Sequence, residues 1–193
     1  MICPISETQH NKHLFDQLVI PCDGFRTIVS DPAWLYKSKG IPCLPEKKPE
    51  TCLVGYYYET MKLSDIKDME VATLSAKDSV CFMWATVPML PEALEVLKAW
   101  GFKYKTLLTW HKTNRDCMGY WFRVCTEHVL VGVRGKVKAF RSMERTLFET
   151  KRGKHSEKPQ YFYNIVERVS ESPRIELFAR QPREGWVVWG KGV

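Results

Sequence analysis

The chain has 193 residues, 45% hydrophobic and 26% charged, an ordinary globular mix that excludes a disordered chain, a collagen-like repeat and a coiled-coil rod. Its length suits one domain with its own core, and 29 Lys and Arg against 22 Asp and Glu leave a formal charge of +7. Seven cysteines without a CxxC pair argue against a closed disulfide framework or a four-Cys zinc site and for a reducing compartment.

In chain order, residues 1–24 read as a short N-terminal extension of a single domain covering 1–193. Residues 26–30 (RTIVS) form a β-prone run that stops at Asp31-Pro32. Residues 37–49 (KSKGIPCLPEKKP) hold four lysines and three prolines, which forbid a regular helix or a central strand. We read 37–55 as a mobile loop of the kind that gates a site. Ser64 is placed to cap a helix running to about Leu74. Residues 80–86 (VCFMWAT) are nearly all apolar, as in a strand covered on both faces. Residues 88–100 follow as a helix with Leu90, Leu94, Leu97 and Trp100 at helical spacing and Gly101 as its C-terminal stop. Residues 103–110 and 127–133 read as strands. Ser156 or Glu157 precedes a helix with Pro159 in its first turn and Phe162, Ile165, Val166 and Val169 as its buried stripe. Residues 174–179 and 186–189 are closing strands, near enough to pair as a hairpin. Strands alternating with helices imply an α/β sandwich around a mostly parallel sheet with a late antiparallel strand.

The positive charge is uneven. Eight basic residues between Arg134 and Lys154 face only Glu144 and Glu149, a local excess of +6. Such a stretch attracts a polyanion through counterion release, and a solvated surface would look the same. No apolar run approaches the roughly 18 residues that span a bilayer, and residues 1–15 contain no hydrophobic signal core. A membrane or secreted protein is disfavoured, and the cytoplasm (the nucleus in a eukaryote) is the expected location. His10 and His13 form an isolated HxxH pair, and no metal site is expected.

Asp31-Pro32-Ala33-Trp34 follows a strand, where α/β sheets hold their ligands. Asp31 offers an acceptor-only carboxylate. Pro32 biases the backbone so that nearby carbonyls point into a cleft, and Trp34 offers a flat apolar face. One carboxylate and one carbonyl accepting two N–H bonds suit an exocyclic amine on a flat heterocycle. Held so, the amine keeps its lone pair out of the ring and available for attack on an electrophile. Trp84 and Trp110 lie in apolar runs and read as core. His128 reads as a hydrogen-bonded structural histidine, and Cys81, Cys117 and Cys125 as inert thiols.

Asp31–Trp34 resembles the DPPW motif of the adenine-N6 methyltransferases. The chain is similar to the family that includes the messenger-RNA adenosine methyltransferase catalytic subunit and, more closely, its compact bacterial and phage DNA-adenine members. The resemblance extends from about Arg26 to Gly190. It continues through Tyr58-Glu59-Thr60-Met61, Phe82-Met83-Trp84, Trp110-His111-Lys112-Thr113-Asn114, Gly119-Tyr120-Trp121 and the 127–133 segment EHVLVGV. His155-Ser156-Glu157-Lys158-Pro159 and Ile175-Glu176-Leu177-Phe178-Ala179-Arg180 complete it.

The resemblance implies a Rossmann-like fold with S-adenosylmethionine as methyl donor. By the family pattern, Asp31 and the Ala33 carbonyl hold the adenine amine, with Pro32 shaping the turn and Trp34 against the base. Tyr58 flanks the base or the closing loop, and Tyr120 and Trp121 line the base pocket or a packed turn. Lys158 pairs with the donor's carboxylate, Phe178 and Arg180 contact its adenosine part, and His155 either caps its helix or touches the donor. Two positions depart from the pattern: Ala33 replaces the second proline, and Gly190-Lys191 replaces a Gly-Asn pair. The expected activity is methylation of adenine N6 in nucleic acid, DNA being favoured over RNA because the chain is compact. A catalytically weak nucleic-acid-binding subunit of the same fold and methylation of cytosine N4 are the alternatives. So small a domain has little room for a target-recognition module. That role falls to the 37–49 loop, the 134–154 stretch, a second copy or a partner subunit.

Overall fold

The computed structural model describes residues 14–35, 60–114, 116, 121–154, 157–191 and 193. The 37–49 loop, the HxxH pair, Tyr58, Tyr120, Cys117, His155 and Ser156 lie outside these residues. The strands are β1 (Phe25–Ser30), β2 (Ser75–Ala85), β3 (Lys103–Lys112), β4 (Thr126–Arg134), β5 (Leu147–Thr150), β6 (Arg174–Leu177) and β7 (Val187–Trp189). The helices are α1 (Leu63–Lys67), α2 (Val71–Leu74), α3 (Leu90–Ala99) and α4 (Gln160–Val169).

The most apolar run becomes the middle of the sheet. Every residue of β2 from Ser79 to Ala85 is buried. Its period of two divides them: Cys81, Met83 and Ala85 join a core with Ile66, Leu74, Leu97 and Trp100. Val80, Phe82 and Trp84 join another with Trp110, Phe162, Ile165 and Val166. Helices α1 to α3 thus cover one face and α4 the other, which is why β2 carries no polar stripe. Gly101, at φ +83°, ends the α3 turn; the Phe102 N–H donates to the Leu97 carbonyl at 3.0 Å.

The seven strands lie in the order β5-β3-β4-β2-β1-β6-β7. β1 pairs in parallel with both β2 and β6, and β3 with β5. β4 alone runs antiparallel, between β2 and β3. This is an α/β Rossmann-like sheet, mostly parallel. The antiparallel strand is β4, not a member of a closing hairpin. β7 lies parallel to β6 (Ile175 opposite Val187), because residues 178–186 carry the chain back to the starting edge before β7 begins.

Other local expectations are corrected. The helix foreseen from Ser64 is broken into α1 and α2, and the Ser64 hydroxyl bonds Asp65 rather than capping. On α3 the buried positions are Ala93, Val96 and Leu97, while Leu94 is exposed, because the helix packs on a face rotated from the leucine stripe. Pro159 is the N-cap of α4 rather than part of its first turn. β5 was not foreseen: LFET is short and buries only Phe148.

Candidate active site

From β1 the chain proceeds first to one side, through β2, β3, β4 and β5, and returns late to β6 on the other side. The order reverses between β1 and β6, and a crevice opens at the carboxyl ends of strands at such a point. Asp31 follows β1 there, and Phe178 follows β6. Ser30 lies opposite Leu177, and the Asp31 N–H approaches the Leu177 carbonyl at 3.4 Å. The α4 N-terminus brings Lys158 to the same edge. Because β4 is reversed, its first residues also lie here, which supplies Glu127.

These residues form an alternating charge chain. The Lys158 ammonium lies 3.1 Å from Asp31 Oδ1 and 3.0 Å from Glu127 Oε2. Glu127 Oε1 accepts a hydrogen bond from Lys112 Nζ at 2.5 Å. Lys158 stands 4.9 Å over the Trp84 ring and Lys112 5.2 Å over Trp110. The Lys158 side chain is 11% exposed, that of Asp31 20%. Burial raises the Asp31 carboxyl above its ordinary range, an effect that Lys158 opposes. Burial would also raise Glu127, but Lys158 and Lys112 outweigh it and hold that carboxyl down at about 2. The difference follows from geometry: Glu127 has two ammonium neighbours, whereas Asp31 has one and also feels the Glu127 charge. Burial alone would lower Lys158, yet its two carboxylates hold it above the usual lysine range.

A cavity of about 270 Å³ opens beside this chain, lined in part by Asp31, Lys154, Lys158, Phe178 and Arg180. In its wall the Tyr163 hydroxyl donates to Glu176 Oε1 at 2.6 Å, and the Arg183 guanidinium stacks 3.2 Å over the Tyr163 ring. Burial raises both Glu176 and Tyr163. Phe178 takes φ +64°, a left-handed conformation that costs a non-glycine residue roughly 1 kcal/mol and recurs at functional sites. Gly190 lets β7 approach closely: a Cβ there would meet the Ala179 carbonyl at 2.2 Å.

Asp31, Lys158, Phe178 and Arg180 therefore meet around one cavity. Trp34 does not join them as an open face. It is 4% exposed, with its indole N–H donating to the Trp84 carbonyl at 3.3 Å, so it packs beneath the motif instead of offering a surface to a base. The Pro32 carbonyl accepts from the Trp34 N–H at 2.8 Å, and the Ala33 carbonyl from the Met61 N–H at 2.9 Å, which leaves each oxygen its second lone pair. Trp121 is 91% exposed on the loop between β3 and β4. Lys158, foreseen as a partner of the donor, is engaged with two carboxylates of the protein itself. His128 receives the structural reading: its Nδ1 lies 3.1 Å from the Thr109 hydroxyl, and burial lowers it. Trp84 and Trp110 are core, each 1% exposed. Sequence reasoning missed Glu127 and Lys112. Their only signal was a charged residue at each of two strand ends that a reversed strand brings together.

The basic stretch is divided by the fold. Lys136 and Lys138 line a separate cavity with Arg26 and Phe140 at the opposite end of the sheet, beyond β4. Lys151, Arg152 and Lys154 follow β5 back to the carboxyl end, where Lys154 lines the cavity shared with Asp31.

Fold and site together define an α/β methyltransferase of Rossmann-like topology. Residues 25–192 match the MT-A70 family, and the chain belongs to this family of N6-adenine methyltransferases. The type II methyltransferase M.MunI of Mycoplasma sp is 32% identical over 193 residues, covering 92% of this chain and 80% of that protein. The human N(6)-adenosine-methyltransferase catalytic subunit METTL3 is 28% identical over 144 residues, which are 69% of this chain and 25% of METTL3. An Arabidopsis thaliana N(6)-adenosine-methyltransferase MT-A70-like protein is 29% identical, with 69% of this chain and 21% of the relative covered. The chain thus spans a quarter or less of these eukaryotic relatives and most of the bacterial one.

Proposed function

We propose that this protein transfers a methyl group from S-adenosylmethionine to N6 of adenine in DNA. The observation that carries this reading is the Asp31 carboxylate at the mouth of a cavity at the β1/β6 switch point, within a family-matching chain. DNA is favoured over RNA because the chain matches most of the length of a type II methyltransferase. A cytoplasmic location, or the nucleus in a eukaryotic cell, suits the free thiols of Cys81 and Cys125. Among the described residues no helix is long and apolar enough to cross a membrane. A second copy or a recognition subunit would supply target selection.

The cavity residues fit the donor's chemistry. Lys154 and Arg180 suit its carboxylate, the acids suit its ammonium and hydroxyl groups, and Phe178 offers a ring for its adenine. When bound, S-adenosylmethionine supplies an electrophilic sulfonium methyl. The residues of this chain do the rest by positioning. Lys158 occupies one oxygen of Asp31 and opposes the effect of burial by favouring the ionised form; Oδ2 accepts an N–H of the adenine amine. The free lone pair of a carbonyl in the Pro32–Ala33 turn accepts the other. Trp34, anchored on Trp84, holds that turn in place. The target base must be unpaired or flipped from its stack to enter. No strong base is needed, because the amine loses its proton after attack and Asp31 lies beside it.

The test is donor turnover on single-stranded DNA, duplex DNA and RNA of one adenine-containing sequence, with nucleosides read by mass spectrometry. N6-methyladenine formed fastest on DNA and lost in Asp31→Ala is the expected result. Undiminished turnover in that variant rejects the clamp, preference for RNA rejects the choice of substrate, and methylated cytosine rejects the target base.

A further inference from the structure

The end of the sheet away from Asp31 gathers cations from distant parts of the chain. The last turn of α3 contributes Lys98, the start of β3 Lys103 and Lys105, and the segment after β4 Lys136, Lys138 and Arg141. All six are exposed, and none has an ion-pair partner among the described residues. β3 and β4 pair here, with Lys103 opposite Val133. Three acids of this end are held by neighbouring groups. Asp78 Oδ1 accepts the Lys136 backbone N–H at 2.7 Å, Glu171 pairs with Arg26, and Glu144 pairs with Arg168. Tyr104, 44% exposed, stands between two of the lysines.

The segment that carries Lys136, Lys138 and Arg141 is pinned. Gly135 turns it at φ +68° against Asp78, and Phe140 stacks on Phe82 at 6.2 Å and 13°. Arg141 adopts φ +49°, and the Glu144 N–H donates to the Ser142 hydroxyl at 3.0 Å. A surface that serves only solubility intersperses both signs and needs no such anchoring. Ordered cations of one sign lose little conformational entropy on meeting a row of phosphates.

We propose that this end is a second, sequence-independent contact for the DNA backbone, separate from the catalytic end. The proposal relies on the reading above only for its choice of polyanion. Glu127 and Arg134 stand seven residue steps apart along β4, about 23 Å at roughly 3.3 Å per step. A strand advances about 3.4 Å per nucleotide in a duplex and roughly twice that when fully extended, so two nucleotides beyond the target reach only about 14 Å. A base held at Asp31 in a short strand leaves the far end bare, whereas a long duplex or a second segment covers it.

The test compares wild type with the combined variant Lys103→Gln, Lys105→Gln, Lys136→Gln, Lys138→Gln. Binding to a 40-base-pair duplex is measured across a KCl series, and turnover on a single-stranded pentamer with a central adenine. At 0.1 M salt we expect at least a tenfold loss of duplex affinity and a log–log salt slope shallower by about two to four, given roughly 0.9 per phosphate. Pentamer turnover and melting temperature stay within error of wild type, and the four Lys→Arg replacements restore the slope. Unchanged duplex affinity and slope overturn the proposal, as does loss confined to an RNA hairpin or to phosphatidylserine vesicles. An inactive wild type whose duplex slope still depends on these lysines rejects the methylation reading and supports the second contact.

Discussion

The two ends of the sheet use lysine in opposite ways. At the carboxyl end, Lys112 and Lys158 are buried against tryptophan rings and held between carboxylates. At the other end, Lys103, Lys105, Lys136 and Lys138 are exposed. A buried ammonium without a counter-charge costs several kcal/mol, so the carboxyl end must balance charge internally. An exposed ammonium costs nothing of the kind and is attracted to whatever anion arrives. The lesson is that net charge says little about where a polyanion binds until burial is known.

The contrast is sharpest in stability. Glu127→Ala leaves Lys112 without its carboxylate and Lys158 with one, and we expect a loss of about 3–5 kcal/mol, read by urea unfolding. Lys103→Gln, by comparison, should move stability by no more than about 0.5 kcal/mol. Equal effects would erase the distinction between the ends.

Next in size is the rate. Asp31→Ala removes a preorganised acceptor and should lower kcat by about 10²–10³-fold. Lys158 retains Glu127, so unfolding midpoints should shift much less than in Glu127→Ala. A variant that loses activity only because it unfolds would show both falling together.

Acid should separate the two carboxylates. Glu127 is held at about 2 against an ordinary 4.5, so its contribution is complete above pH 4.5 and is lost as pH falls through about 2. Asp31 has the opposite sign. Its raised pKa means that the folded protein takes up that proton more readily than the unfolded chain, which offsets part of the loss. Glu127→Gln should flatten the stability–pH curve between 4.5 and 2, and Asp31→Asn should steepen its fall. The acid limb of kcat/KM should lie above the ordinary aspartate range near 4, because a protonated Asp31 accepts hydrogen bonds poorly.

The smallest effect concerns backbone shape. Phe178→Gly should relieve the left-handed strain but give up the ring's packing on Trp189 and the core, for a net stability loss of about 1–2 kcal/mol. A raised KM for donor with only a modest fall in the unfolding midpoint is the expected signature, measured by steady-state kinetics at saturating DNA.

What could be read without coordinates depended on local physics. The run at β2 was legible because a strand covered on both faces is apolar throughout, and those at β1 and β4 because they are rich in β-branched residues. Asp31-Pro32 was legible as a strand end. β5 escaped because Leu147–Thr150 buries only Phe148, so its composition carries no run. The parallel setting of β7 escaped because a short connection ordinarily returns as a hairpin. Trp34 looked like a free platform because nothing in its neighbours announces that it is buried with its indole N–H on the Trp84 carbonyl.

The amino-acid sequence by itself determined the class of sheet, the acid at its edge and the family, since each rests on contiguous residues whose chemistry is local. Only the tertiary structure decided that Lys158 is shared by Asp31 and Glu127, and that one basic stretch serves two opposite ends. Those facts depend on the reversal of β4, which carries Glu127 to one edge and Arg134 to the other. Strand direction is set by packing between distant segments, and no single stretch of chain encodes it.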